Sequence, residues 1–257
     1  MNSGRHAVRI RPNGVSSKYY KTGEQRAALV GDLFENLAPR YDLINDLQSF
    51  GLHRRWKKLL VEMAEVKPGQ KALDLCCGTG DIAFALYRAG AEVVGLDFSP
   101  AMLAAARARA QKLPARANTP PLEFQSGDAM QIPYDACSFD IVSIGYGLRN
   151  LESWERGLEE MVRVAKPGGR LLVLDFGKPD GWLWQRLFFF YLRSVVPLLG
   201  AILCRDAAAL AYIHESLQAY PAQRGVAGKM RALGCREVCV RNLLGGAMSI
   251  HSCVKNG

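Results

Sequence analysis

The first residues lack an apolar run. Residues 1–21 carry Arg5, Arg9, Arg11, Lys18 and Lys21, no acid occurs before Glu24, and no apolar stretch follows. No secretory signal is therefore expected in this stretch. What remains is a basic, flexible arm over residues 1–25, with an organelle-targeting segment as the alternative reading. Collagen-like triplets, heptads, low-complexity blocks and disordered charge tracts are also missing, which excludes fibrous, coiled-coil and disordered classes. The seven cysteines show no zinc-ligand spacing; Cys235, Cys239, His251 and Cys253 come nearest and miss it, so no metal is expected. Adjacent Cys76 and Cys77 suit a small-residue loop better than a disulfide framework. The thiols read as buried packing groups in a reducing, cytoplasmic setting.

What is present is a single-domain quantity of core. The 257 residues are 49% hydrophobic, and a formal charge of +9 favours nucleic acid or an anionic membrane surface without choosing between them. From Lys71 onward, short apolar strands alternate with helical stretches. Strands are predicted at 71–75, 92–97, 122–125, 139–143 and 170–175, and helices at 81–89, 101–112 and 151–165. Further helices are predicted at 26–37 and 53–65. Such alternation implies a mostly parallel sheet with helices on both faces, in the Rossmann-like manner. Ligands of these sheets sit at the carboxyl ends of the strands, so the site is expected in the loops after Leu75, Leu96, Gln125 and Ile144.

Four acids and a glycine loop fall at those ends. Asp74-Leu75-Cys76-Cys77-Gly78-Thr79-Gly80-Asp81 joins the first strand to its helix, and Gly78 and Gly80 permit a tight turn with close ligand approach. The loop alone also fits a dinucleotide pattern. Asp74 discriminates: an acid there suits a ligand with an ammonium and a sulfonium and is unhelpful beside a pyrophosphate. S-adenosylmethionine is therefore preferred over a nicotinamide cofactor. Asp97 is placed to accept both ribose hydroxyls, and Asp128, in Gly127-Asp128-Ala129, to meet the adenine amine. Each acid also suits a helix N-cap.

Four segments in order carry a resemblance. They are Ala38-Pro39-Arg40-Tyr41-Asp42-Leu43-Ile44-Asn45-Asp46, Gly51-Leu52-His53-Arg54-Arg55-Trp56-Lys57, the glycine loop, and Gly145-Tyr146-Gly147-Leu148-Arg149-Asn150. Together they resemble the quinone-biosynthesis C-methyltransferases that act on menaquinone, ubiquinone and phylloquinone precursors, from about Val30 to the C-terminus. The resemblance implies a class I methyltransferase with a seven-stranded sheet, S-adenosylmethionine as co-substrate, and Thr79, Asp97, Asp128 and Ala129 in its site. The Leu-Cys-Cys-Gly and Gly-Tyr-Gly-Leu-Arg-Asn forms look most like the menaquinone and phylloquinone branch, with the ubiquinone pathway as alternative. Gly145 departs from relatives that place a serine there.

The implied reaction moves a methyl group from sulfonium to a ring carbon of a prenylated quinol. It requires alignment, exclusion of water and help for a phenol to lose its proton. Candidate catalytic residues are Arg149 and Tyr146, then His53 and Tyr41 in a helical cap over 26–66. His53 also reads as a structural histidine, and Arg149 as part of a helix cap. The division continues with a cofactor core at 67–180, a hydrophobic lid at 181–224 and a last helix and strands at 225–257. Within the lid, residues 182–204 approach a membrane span in length but are interrupted by Arg186, Arg193 and Pro197, so no transmembrane helix is predicted. The segment reads as a core helix and lid, as a groove for an isoprenoid tail, or as an interfacial anchor touching anionic lipid at the inner face of the membrane. Competing readings are an NAD-dependent oxidoreductase, a nucleic-acid methyltransferase and a non-catalytic S-adenosylmethionine-binding subunit of a quinone-synthesis complex. Asp74, the absence of a base-flipping motif and the intact glycine loop oppose them in turn.

Overall fold

A computed structural model of the chain describes residues 33, 35, 37, 40–113, 121–204 and 208–257. The basic arm and most of the helix expected at 26–37 lie outside the described residues. The first helices are α1 (Tyr41–Ser49) and α2 (Leu52–Ala64). Alternation follows as β1 (Lys71–Leu75), α3 (Asp81–Arg88), β2 (Glu92–Asp97), α4 (Pro100–Ala110), β3 (Leu122–Ser126), β4 (Phe139–Gly145), α5 (Trp154–Val164) and β5 (Ala165–Phe176). The chain closes with α6 (Trp182–Phe190), a π-helical stretch Tyr191–Val195, α7 (Val196–Cys204), α8 (Ala208–Ala219), α9 (Ala222–Ala232), β6 (Arg236–Leu243) and β7 (Met248–Val254).

The strands form one seven-stranded sheet in the order β3-β2-β1-β4-β5-β7-β6. Pairings from β3 through β5 are parallel, and β7 is antiparallel to both β5 and β6. The expected Rossmann-like sheet is therefore present. Its parallel strands are covered on both faces, which is why they read as continuous apolar runs. Leu73 and Leu75 pack with Leu158, Met161 and Val164 of α5 on one face, whereas Ala72 packs with Leu60, Ile82 and Phe84 on the other. Burial of each such leucine contributes about 2 kcal/mol.

Local chemistry sets the element ends. Ser99 caps α4, its Oγ accepting from the Met102 amide at 3.3 Å, and Pro100 occupies the first helical position. Ser153 caps α5 in the same way, so the helix begins three residues later than its periodicity suggested. Lys166–Gly169 loop out between the Phe139–Ala165 and Ile141–Arg170 pairs, where Gly168 has φ +77°.

Chain direction from β1 runs outward to β3 and then returns to β4 beside β1. The crevice at the carboxyl ends of β1 and β4 is thus the topological switch point. The helical stretch Trp182–Leu203 overlies this end. By length and composition it is long and apolar enough to cross a membrane, and 28% of its most apolar window is buried. Pro197 lacks an amide hydrogen and its ring crowds the carbonyl of residue 193, which explains the wider π turn at Tyr191–Val195.

Candidate active site

The glycine loop leaves β1 through left-handed conformations at Cys76, Gly78 and Gly80, with φ of 50°, 55° and 90°. Gly80 is needed for a second reason: a Cβ there would lie 2.8 Å from Phe84 and 3.0 Å from Phe124. The loop is fixed to the next strand by Asp97, whose Oδ2 accepts from the Gly78 amide at 2.8 Å while Oδ1 accepts from the Ser99 amide at 2.9 Å. A carboxylate has about four acceptor positions, so the backbone amides do not saturate it. Burial raises the Asp97 carboxyl above its ordinary range, and the backbone donors oppose that shift.

A cavity of about 210 Å³ opens above these strand ends. Gly78, Asp97, Asp128 and Ala129 line it, together with Tyr41 and Tyr146. Apolar walls come from Leu96, Phe98 and Met102. Asp128 is exposed, with Oδ1 accepting from the Met130 amide at 2.8 Å.

Three expected cofactor residues lie outside that lining. Asp74 is buried beneath the loop, where its oxygens accept from Ser143 Oγ at 2.8 Å and from the Ala83 amide at 3.1 Å. Burial pushes its carboxyl up to about 7, against those two donors. Thr79 Oγ1 donates to Asp42 Oδ1 at 2.9 Å, tying the loop to α1. Gly80 serves the turn itself.

The four candidate catalytic residues divide among adjoining spaces. Tyr146 has φ +61°, which aims its ring between cavities: it lines the first, a second apolar cavity of about 270 Å³, and a small one of about 20 Å³. Its hydroxyl is buried without a hydrogen-bond partner among the described residues, and burial holds its pKa well above the ordinary value. Tyr41 joins it in the first and small cavities, its hydroxyl pushed up to about 12 by burial. Arg149 lines the small cavity and, among the described residues, neither of the two larger ones. Its guanidinium is 3.0 Å from Asp175 Oδ1 and 3.3 Å from the Tyr212 hydroxyl, and stacks over Phe176 at 4.7 Å. Ser153, not Arg149, caps α5. His53 lines the second cavity, with Nε2 2.8 Å from Asp46 Oδ1.

Sequence reasoning missed Asp175, the buried partner of Arg149, although its place at the end of β5 obeys the strand-end rule used for Asp97. It also missed Phe176 and Met248, which wall the second cavity and carried no signal beyond apolarity, whereas Trp184 lies in the segment read as a lid or isoprenoid groove and Trp56 in a segment that carried the resemblance. Among the described residues, no group of three or more histidine, cysteine or acidic side chains is placed to hold a metal ion.

A family model described as the ubiE/COQ5 methyltransferase family matches residues 20–255. The chain belongs to this family. The family member is 39% identical over 234 residues to a demethylmenaquinone methyltransferase of Desulfitobacterium hafniense (strain Y51), covering 90% of this chain and 91% of that protein. It is 36% identical over 230 residues to the ubiquinone/menaquinone biosynthesis C-methyltransferase UbiE of Idiomarina loihiensis, covering 88% and 90%. A solved S-adenosylmethionine-dependent methyltransferase of Thermotoga maritima superposes with a TM-score of 0.62 at 18% identity, over 88% of this chain and 99% of that one. The cyclase SpnF matches with a TM-score of 0.58 at 18% identity, over 94% and 98%, so the fold by itself leaves the chemistry open. Family membership bears out the expectation of a methyltransferase that uses S-adenosylmethionine.

Proposed function

We propose that this methyltransferase moves the methyl group of S-adenosylmethionine to a ring carbon of a prenylated quinol, with demethylmenaquinol, or demethylphylloquinol, as the preferred acceptor. The carrying observation is that Tyr146 is a common wall of two cavities. One is edged by strand-end acids and the other is almost wholly apolar. The first suits a charged nucleoside, with Asp97 on the ribose and Asp128 toward the adenine; the second suits a naphthoquinol and the start of its tail.

Asp74, Gly78, Thr79 and Gly80 keep their proposed part in this reading as the group that shapes and charges the loop. Asp74 acts through its fixed position under the loop, where a nearby sulfonium and ammonium favour its ionised form. Arg149, paired with Asp175 at the small cavity that Tyr41 and Tyr146 also line, directs positive potential toward the ring oxygen, and Tyr41 and Tyr146 offer hydroxyls. Enclosure at the shared wall aligns ring carbon, methyl and sulfur.

The acceptor reaches the enzyme from a bilayer. Trp182, Leu183, Phe190, Leu198 and Ile202 are exposed on Trp182–Leu203, and residues 182–204 contain Arg186 and Arg193 with no acid. This supports peripheral contact with anionic lipid at the cytoplasmic face. The chain acts as one domain, in which the described residues of the cap (Tyr41 to Trp56) and of the lid (Trp184 to Val196) close the cavities.

The test is transfer of labelled methyl from S-adenosylmethionine to chemically reduced demethylmenaquinol in detergent, beside a benzoquinol precursor of the ubiquinone pathway. Label in the naphthoquinol is the expected result. Label confined to the benzoquinol moves the enzyme to the ubiquinone pathway, and binding of S-adenosylmethionine without transfer to either overturns the acceptor class and favours a non-catalytic subunit.

A further inference from the structure

Asp46 and His53 meet because the chain reverses between α1 and α2. Phe50 and Gly51 take left-handed conformations, with φ of 52° and 74°, and the Gly51 amide donates to the Asp46 carbonyl at 2.8 Å. This turn brings the His53 ring back against the Asp46 side chain, Nε2 to Oδ1 at 2.8 Å. Arg54 grips the same carboxylate, its Nε 2.8 Å from Oδ1.

The chemistry of that contact fixes a tautomer. The hydrogen bonds from Arg54 and His53 hold the Asp46 carboxyl at about 2, so at neutral pH it only accepts. His53 Nε2 must then carry the hydrogen. Burial lowers the imidazole's affinity for a second proton, and the ring is 3% exposed. Nδ1 is consequently a bare lone pair, enclosed and without a partner among the described residues. The charged groups facing the ring are Asp46 of α1, Arg54 and Lys57 of α2 and Asp81 of α3. None of these occupies Nδ1.

His53 lines the 270 Å³ cavity with Tyr146 and Asn45, whose hydroxyl and Nδ2 are, like His53 Nδ1, buried without a partner among the described residues. An acceptor nitrogen beside two donors, the Tyr146 hydroxyl and Asn45 Nδ2, in a mostly apolar space matches a ring that carries one hydroxyl to give and one oxygen to be held. Resting on the quinol reading above, we infer that Asp46 and His53 form the proton-accepting pair of the acceptor cavity, with His53 Nδ1 as the base and Asp46 as its positioning residue.

In the step, the phenol O–H bond breaks and its proton passes to Nδ1, leaving its electron pair on the ring. The ring carbon then bonds to the methyl carbon while the carbon–sulfur bond breaks toward sulfur. The tetrahedral ring carbon loses its hydrogen to water as a proton, and the imidazolium returns its proton to the ring oxygen. One proton leaves overall, and His53 is restored.

The experiment compares wild type, His53→Gln and Asp46→Asn with two reduced naphthoquinol acceptors. One ionises well above the assay pH, and the other carries an electron-withdrawing substituent that ionises it at the assay pH. With the weakly acidic acceptor, kcat is expected to fall about 100-fold in His53→Gln and about 10-fold or more in Asp46→Asn, within the range for a lost general base. The pre-ionised acceptor restores most of the rate in both variants, and the dissociation constant for S-adenosylmethionine stays unchanged. A merely structural role lowers the rate equally for both acceptors, and that result, or an undiminished rate, overturns the pair. Nitrogen-15 spectra of wild type supply a readout that needs no variant: a protonated Nε2 and an unprotonated Nδ1 that shifts on adding reduced acceptor are expected, and a protonated Nδ1 refutes the assignment. Absence of transfer by wild type to either acceptor sinks the quinol reading and the pair with it.

Discussion

Lys57 Nζ of α2 lies 2.8 Å from Asp81 Oδ2 at the start of α3, joining α2 to the end of the glycine loop through side chains that are 10% and 26% exposed. Asp81 also receives Arg109 of α4 at 2.8 Å. Burial acts to raise the Asp81 carboxyl, but the two cations outweigh it and bring the pKa to about 2. Lys57→Met is expected to destabilise the protein by about 2 kcal/mol, below the full cost of orphaning a buried charge because Arg109 remains. Urea unfolding at pH 7 checks the value, and a loss below ~0.5 kcal/mol refutes the bridge as a tie.

Asp97→Ala removes the acceptor of the Gly78 amide and the proposed partner of the ribose. Loss of hydrogen bonds to a charged group at about 1.5–3 kcal/mol predicts affinity for S-adenosylmethionine lower by about 100-fold. Calorimetric titration decides; an affinity within threefold of wild type removes Asp97 from the site.

Arg149→Ala leaves Asp175, which is fully buried, without its cation. A cost of about 3–5 kcal/mol is expected, partly recovered when Asp175→Asn is added. Denaturation of the single and double variants measures this coupling. Additive losses would show that the pair is not a unit.

His251 on β7 is wholly buried, and burial lowers its pKa to about 4. The unfolded chain takes up this proton near pH 6.5 while the native state does not, so the residue's contribution to stability falls as pH drops from about 7 to about 4. The shift corresponds to about 3 kcal/mol across that window. His251→Gln should flatten the wild-type decline; equal pH slopes in the two proteins contradict the assignment.

Gly145 ends β4 against α3. A Cβ built there falls on Ile82 Cδ1, the far end of a flexible side chain. Gly145→Ala is therefore expected to cost about 1–3 kcal/mol by overpacking, and Ile82→Val in the same chain to recover much of it. Thermal unfolding of the two proteins tests whether Ile82 is what excludes a side chain.

Much of the fold was legible because apolar period and turn chemistry are local signals. The strand edges at Lys71 and Asp97 and the cap at Ser99 could be read from neighbours a few residues apart. The glycine loop after β1 was legible for the same reason, since its glycines and Asp74 to Asp81 lie on one stretch. The start of α5 was misjudged because Leu151 carries the apolar period while Ser153 holds the cap.

The second cavity was not legible. Its walls join Trp56 of the cap, Tyr146 after β4, Trp184 of the lid, and Phe176 and Met248 of the sheet, and the sequence does not say that these distant segments meet around one space. Pairs such as Lys57 with Asp81 and Arg149 with Asp175 are 24 and 26 residues apart and meet only when helices cross the finished sheet.

The sequence by itself determined the alternation of strands and helices, the acids at the strand ends and the family. Those properties follow from residue type and short spacing. Tertiary structure alone decided that Asp74 lies under the loop instead of lining the cavity, that Tyr146 separates two spaces, and that Asp46 leaves one nitrogen of His53 unused. Which donor reaches a buried carboxylate, and which face of a ring is left over, depends on how elements cross and how strands are ordered in the sheet, and neither is encoded in any local pattern.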